Sequence, residues 1–190
     1  MRRLIVSINV TLNGMMAGPH GEMDWHMPYW DDEMSHHAAE QLGSADTLLL
    51  GRITYQGMAA YWHGKPAYFG ARADIDYAEM MNSHHKVVFS KSLIQLNGWH
   101  NSRLAVNTLA HEVKALKQLP GKDILVYGSG KLVMALIQRN LVDEYRLWVY
   151  PVVLNNGRLL FKGLQKRVGL KPAQVKVFGN GVVILSYELT

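Results

Sequence analysis

The chain of 190 residues contains no cysteine, which excludes disulfides and thiolate metal sites and fits a reducing compartment. Long apolar runs are missing too. The N-terminal stretch Leu4-Ile5-Val6 follows two arginines but is broken by Ser7 and Asn9, too short for the apolar core of a signal peptide, and nothing approaches membrane-spanning length. There is no long polar or proline-rich tract. With 48% hydrophobic and 18% charged residues, the chain has the composition of a folded domain rather than a disordered one. Nor is there a basic cluster interleaved with aromatics, so the net charge of +5 reads as diffuse and suits an anionic small ligand better than nucleic acid. No internal repeat or linker divides residues 1–190, and that length suffices for one continuous core. The expectation is a single cytoplasmic domain with no membrane or nucleic-acid partner.

What is present is most concentrated between Ile124 and Asn140. An apolar run of strand formers ends in Gly128-Ser129-Gly130, and a helix pattern starts at once, with Leu132, Val133, Leu136 and Ile137 at helical spacing. Glycines allow a tight turn and leave no side chain between the helix start and a ligand. The free N–H groups and partial positive charge of a helix N-terminus make an anion site that pyrophosphate fits. The competing reading is a plain strand-to-helix turn in which Ser129 caps the helix. Neither standard phosphate loop matches: Lys131 is followed by Leu132 rather than Ser or Thr, and the third glycine of the dinucleotide fingerprint would fall at Val133.

Read in order, the chain predicts a strand from Arg3 to Thr11, then a glycine-punctuated loop to Pro28. A helix starts at Asp31 or Asp32 and stops at Gly43. Strands follow at Thr47 to Leu50 and Lys86 to Phe89, separated by a helix from Asp74 to Asn82. Thr108 caps a helix in which Leu109, Val113 and Leu116 share a face, ended by Leu119-Pro120-Gly121. After the Ile124 strand and its helix comes a strand from Glu144 to Val153. Gln174 to Phe178 and Val182 to Leu189 flank Gly179-Asn180-Gly181, a hairpin signal. This alternation predicts a mostly parallel sheet with an antiparallel edge, whose ligands bind beyond the carboxyl ends of the strands. Three apolar strands end alike, at Gly51-Arg52, Ser90-Lys91 and Gly128-Ser129-Gly130, so a phosphate-rich ligand is expected along one rim.

These pieces resemble a known family. Ser7 to Gly14, Asp46 to Tyr55, the Gly128 to Gly130 turn, Leu141 to Tyr145, Tyr150 to Leu154 and Gly157 to Phe161 are together similar to a dihydrofolate-reductase-like domain, most of all the reductase domain of the bifunctional riboflavin-biosynthesis deaminase–reductase. The resemblance covers essentially the whole chain. It implies an α/β three-layer fold, with a mostly parallel central sheet, helices on both faces and a C-terminal antiparallel hairpin. It implies an oxidoreductase using NADPH on a CH–NH or carbonyl group of a pyrimidine- or pterin-like heterocycle, with the ribosylaminopyrimidine of riboflavin synthesis the best-motivated substrate, and a homodimer. The coenzyme would meet Gly51, Arg52 and Thr54 at its phosphates, Ser90 and Lys91 near the adenosine ribose, and Gly128, Ser129, Gly130, Lys131 and Leu132 at the pyrophosphate. An arginine suits a phosphate because its planar fork donates two parallel bonds. Singly, Arg52 also reads as a solvated helix start and Lys91 as a loop charge.

Departures fall on the substrate side. In dihydrofolate reductases a Trp-x-Leu-Pro segment is followed, two residues after the Pro, by the acid that binds the pteridine. Here the segment is Trp25-His-Met-Pro28, that position is Trp30, and Asp31 and Asp32 follow. An indole only donates, so dihydrofolate reduction is the disfavoured alternative, and a nucleotide-binding paralogue of the same fold, without turnover or with another specificity, is the other. The expected catalytic candidates are Asp31 and Asn13, the latter replacing the family's Asp and otherwise a turn residue. Trp25, Trp30 and Tyr55 are the substrate candidates, within an aromatic set (Tyr29, Tyr61, Trp62) that suits a stacking pocket or core packing. The nine histidines carry no metal-site spacing, and no metal is expected.

Overall fold

The computed structural model describes residues 1–63 and 72–190. An eight-stranded sheet runs through it. Its strands are β1 (Leu4–Thr11), β3 (Ala45–Gly51), β4 (His85–Phe89), β5 (Ser102–Leu104), β6 (Asp123–Val126), β7 (Glu144–Tyr150), β9 (Leu170–Val177) and β10 (Val183–Leu189). Two short strands outside it, β2 (Met15–Ala17) and β8 (Arg158–Leu159), pair with each other. The spatial order is β5-β4-β3-β6-β1-β7-β10-β9. Every pairing from β5 to β7 is parallel, and β10 runs antiparallel to both β7 and β9. The mostly parallel sheet with an antiparallel C-terminal edge is therefore as expected.

Alternation along the strands builds two cores. Leu4, Val6, Ile8 and Val10 of β1 join Leu49, Ile124 and Val126 under helices α4 (Leu109–Gln118) and α5 (Gly130–Ile137). Ile5, Leu48, Leu50 and Leu125 point the other way, beneath α1 (Asp32–Gly43), α2 (Arg52–Trp62) and α3 (Arg72–Ser83). Burial of both faces explains why the central strands read as continuous apolar runs. On α1 the buried residues are Met34, Ala38, Gln41 and Leu42, the i, i+4, i+7, i+8 stripe of a helix laid on a sheet. A third cluster joins Met34 and Ala38 to Trp148, Tyr150, Phe178, Val182 and Ile184 over the antiparallel edge.

The caps behave as the sequence predicts. Asp31 starts α1, its carboxylate accepting from Met34 N at 2.9 Å, and Thr108 starts α4, accepting from His111 N. At the amino ends of the strands Arg2 locks three of them together, donating to Lys122 O, Asp46 and Thr47 Oγ1. The elements not predicted are α2, the short strands β2, β5 and β8, and a 3-10 turn over Asp24–Tyr29.

Candidate functional site

Because β4, β3 and β6 are adjacent and parallel, their carboxyl ends share one rim. Phe89 pairs with Gly51 in register, so Ser90 and Lys91 leave the sheet beside Arg52. On the other side Gly51 N donates to Gly128 O at 3.1 Å, joining the start of α2 to the start of α5. A Cβ on Gly51 would run into the Ser129 hydroxyl and stand 3.1 Å from Ser129 N. A Cβ on Gly128, whose φ is +126°, would stand 3.0 Å from Thr54 Oγ1. The two glycines are thus what lets two helix starts touch.

Neither start is capped by a side chain: Gly51 is the N-cap of α2 and Ser129 that of α5, without a capping bond in either. The capping role open to Ser129 is therefore not the one it takes. In α5 the first intrahelical bond is Val133 N to Ser129 O, so the N–H groups of Gly130, Lys131 and Leu132 precede the ladder. Arg52, Ile53 and Thr54 stand likewise in α2. Two helix dipoles converge here, each equivalent to about half a positive charge. Arg52 is exposed, with one long contact to Gln56 at 3.4 Å, and Lys91 is exposed. The side chain of Leu132 is buried in the core, so only its backbone can face the rim, while that of Lys131 is exposed. Ser90 turns its hydroxyl inward to accept from Ser92 N and Leu93 N, shaping the bend after β4. A dinucleotide phosphate fits this set: paired N–H cradles, a guanidinium beside them, and glycines where any side chain would intrude.

The substrate candidates divide. Trp25 sits over the carboxyl end of β7, edge-on to Tyr150 with ring centroids 5.3 Å apart, and its buried Nε1 has no partner. Trp30 is 40% exposed, stacks on Trp148 at 6.0 Å and donates to Ser35 Oγ at 2.8 Å. Tyr55 is a correction: it is 1% exposed and packs against Trp99 in the core, because its position on α2 shares a face with Ala59. The six aromatics do not form one stacking pocket, since Trp62 lies with Tyr61 and Tyr77 instead.

The catalytic candidates are engaged in the fold. Asn13 accepts from Thr11 Oγ1 at 2.7 Å and donates to Leu154 O at 2.7 Å, pinning the turn after β1 to the loop after β7. This is the turn role, reinforced by a long-range bond that sequence spacing does not reveal. Asp31 spends one oxygen on the cap and the other on Asn180 Nδ2 at 2.7 Å, from the β9–β10 hairpin.

Sequence reasoning missed a set of neutral polar groups lining the underside of α1. Ser7 Oγ accepts from Gln41 Nε2 and Trp148 Nε1, and Tyr127, immediately before Gly128, lies close to Tyr77 and Gln41. The Tyr127 hydroxyl and Gln41 Oε1 are sealed from solvent, as is the Tyr150 hydroxyl, which has no hydrogen bond. Burial pushes the Tyr127, Tyr150 and Tyr77 phenols up, so they remain protonated donors. Asn9, half-buried on the same face of β1, pairs in register with Trp148 and lies one residue pair beyond Ser7. The available signal was Ser7 and Asn9 themselves, polar residues alternating through an otherwise apolar strand.

The RibD C-terminal domain family matches residues 2–184. Among curated proteins, the uncharacterized protein YyaP of Bacillus subtilis (strain 168) is 34% identical over 188 residues, covering 98% of this chain and 95% of that one. Among solved structures, a Shewanella sp. PV-4 protein named for riboflavin biosynthesis superposes with a TM-score of 0.77 at 19% identity, covering 99% of both chains. RibD of Acinetobacter baumannii superposes with a TM-score of 0.74 at 14% identity, and this chain spans 58% of its length. These likenesses carry the three-layer fold with helices on both faces.

Proposed function

The chain belongs to the RibD C-terminal domain family, and from that premise we propose that it is an NADPH-dependent reductase of a small pyrimidine- or pterin-like heterocycle. The observation that carries the reading is the junction of α2 and α5, where two uncapped helix starts meet across Gly51 and Ser129. Such a coenzyme, when bound, supplies a hydride from its nicotinamide. The chain's own part is to hold and orient. Backbone N–H groups of Arg52 to Thr54 and Gly130 to Leu132 grip the phosphates, the Arg52 guanidinium adds a two-pronged contact, and Lys91 favours a ribose phosphate over a bare ribose. Under α1, Trp25 Nε1, the Tyr127 and Tyr150 hydroxyls and Gln41 Oε1 offer donors and an acceptor to a flat neutral ring and exclude water from it.

The ribosylaminopyrimidine of riboflavin synthesis remains the first substrate to try, a reading supported by the family and by the uncharged polar groups under α1. A second reading, a coenzyme-binding protein without turnover, is favoured by one observation: Trp30 stands at the acid's position and both oxygens of Asp31 are engaged. Titration with NADPH and NADH comes first. Micromolar binding, about −8 kcal/mol, with NADPH preferred supports the coenzyme assignment, and no binding of either overturns it. Loss of reduced-nicotinamide absorbance with aminopyrimidines or pterins then separates enzyme from binder. A homodimer is part of the proposal, supported by Val175 and Val177, which are 59% and 63% exposed on edge strand β9; a monomer by light scattering contradicts it.

A further inference from the structure

A groove of about 220 Å3 opens on the side of α1 away from the β3–β6 rim, over the antiparallel edge of the sheet. Its floor is Arg146 of β7 with Ile184 and Ser186 of β10; its walls are His37, Glu40 and Gln41 of α1 and Gln174 and Lys176 of β9. Ser186 pairs in register with Arg146, two strands from β1 and three from β6, so the groove lies apart from the rim described above.

Three features make it more than a gap between elements. Ser186 is 6% exposed and lines the groove floor beside its register partner Arg146. Arg146 is clamped from behind by Glu144, through Nε at 2.6 Å and Nη2 at 3.3 Å, which leaves Nη1 uncommitted. Arg3 reaches the same Glu144 at 3.2 Å while also pairing with Glu188 at 2.7 Å, so Arg146 shares its carboxylate with a second guanidinium. At the mouth, Lys176 supplies a second cation, paired on its other side with Glu33 at 2.6 Å.

We propose that this groove binds a small anion, a carboxylate or a phosphate, held by Arg146 Nη1, the Ser186 hydroxyl and the Lys176 ammonium. The volume equals roughly seven waters in the liquid, below the usual range for nucleotide-sized ligands, which sets the class of molecule. Glu40 is the opposing charge among the lining residues, and Glu33 stands beside Lys176 at the mouth. The Glu40 side chain is 76% exposed and 3.8 Å from His37 Nδ1, at the outer lip rather than the floor. His37 adds no third cation: burial holds it below its ordinary range, Glu40 acts against this, and Lys176 and Arg146 act with it.

The test is titration of the full chain with inorganic phosphate and with acetate, followed by calorimetry and by the fluorescence of Trp148, the register partner of Ile184. Saturable binding of either anion is expected, and the one that binds identifies the class. Ser186→Ala and Lys176→Ala should each weaken it about tenfold or more, and Glu40→Gln should tighten it. Ser186→Ala loses one oxygen and keeps the fold measurable even where Arg146→Gln does not express. Arg52→Ala, at the coenzyme rim, should leave this binding unchanged. Binding that Arg52→Ala removes and Ser186→Ala does not belongs to the rim and overturns the proposal. Absence of saturable binding by both anions overturns it equally, whatever the outcome with NADPH.

Discussion

Gly51→Ala isolates the contact between the two helix starts. Its backbone, at φ −78° and ψ 161°, accepts alanine without strain, so the effect comes from space alone. The added Cβ displaces the Ser129 hydroxyl, which can rotate, and stands 3.1 Å from Ser129 N, which cannot move without moving the start of α5. Overpacking of this kind costs about 1–3 kcal/mol, offset by about 0.4–1 kcal/mol from the stiffer unfolded chain. For a chain of this length the net cost lowers Tm by up to about 8 °C. Coenzyme affinity should fall as well, by about tenfold or more, because the N–H groups no longer converge. Gly57→Ala is the control on the same helix: nothing lies within 4 Å of its added Cβ. It should stabilise by about 0.5–1 kcal/mol and leave binding unchanged. Thermal melts and NADPH titrations of both variants suffice. If Gly51→Ala binds NADPH as the parent does, the α2–α5 junction is not the phosphate site and the coenzyme assignment loses its footing.

Asp31→Asn keeps the N-cap acceptor but loses the bond from Asn180 Nδ2, so it should cost about 1 kcal/mol, and Asp31→Ala, which loses both, about 2 kcal/mol in urea melts; loss of turnover in an Asp31→Asn variant that remains folded identifies a catalytic carboxylate. Glu112, 3% exposed, accepts from Arg103, Val106 N and Asn107 N, with the Arg103 bond chiefly holding its carboxyl below the ordinary range. That lowering gives stability present above the unfolded carboxyl's range and lost as pH falls through the folded value. Glu112→Gln should therefore cost roughly 1.5–3 kcal/mol at neutral pH and flatten the acid limb, and an unchanged limb contradicts this. Lys86, 0% exposed, donates to Asn82 O, His84 O and His100 O, and burial lowers it to about 8. Because the folded value lies below the unfolded one, the native chain gives up this proton first. Stability should rise with pH from about 8 toward the ordinary lysine range, and Lys86→Met should abolish that rise in urea melts at two pH values.

Much of this was legible beforehand because it is local. Alternation and helical spacing identify the long strands and α1, α3, α4 and α5, and Asp31 and Thr108 cap as their positions suggest. The shared rim was legible too, since parallel strands put like ends together. Helix α2 was not: its apolar stripe is short, with only Tyr55 and Ala59 buried among the described residues, and Gly57 interrupts it. The short strands β2, β5 and β8 are two or three residues each, too brief for a period to show.

Which side chains remain available for chemistry is a different matter. The sequence alone determined that this chain folds as an α/β domain with glycine turns at the ends of three parallel strands, because periodicity and turn chemistry act over a few residues. Only the tertiary structure decided that Tyr55 is core, that Asn13 and Asp31 are tied to Leu154 and Asn180, and that polar atoms of Tyr127, Gln41 and Tyr150 are sealed from solvent. Those outcomes depend on partners brought in from distant parts of the chain, and nothing local to a residue records whether its polar atoms have been satisfied.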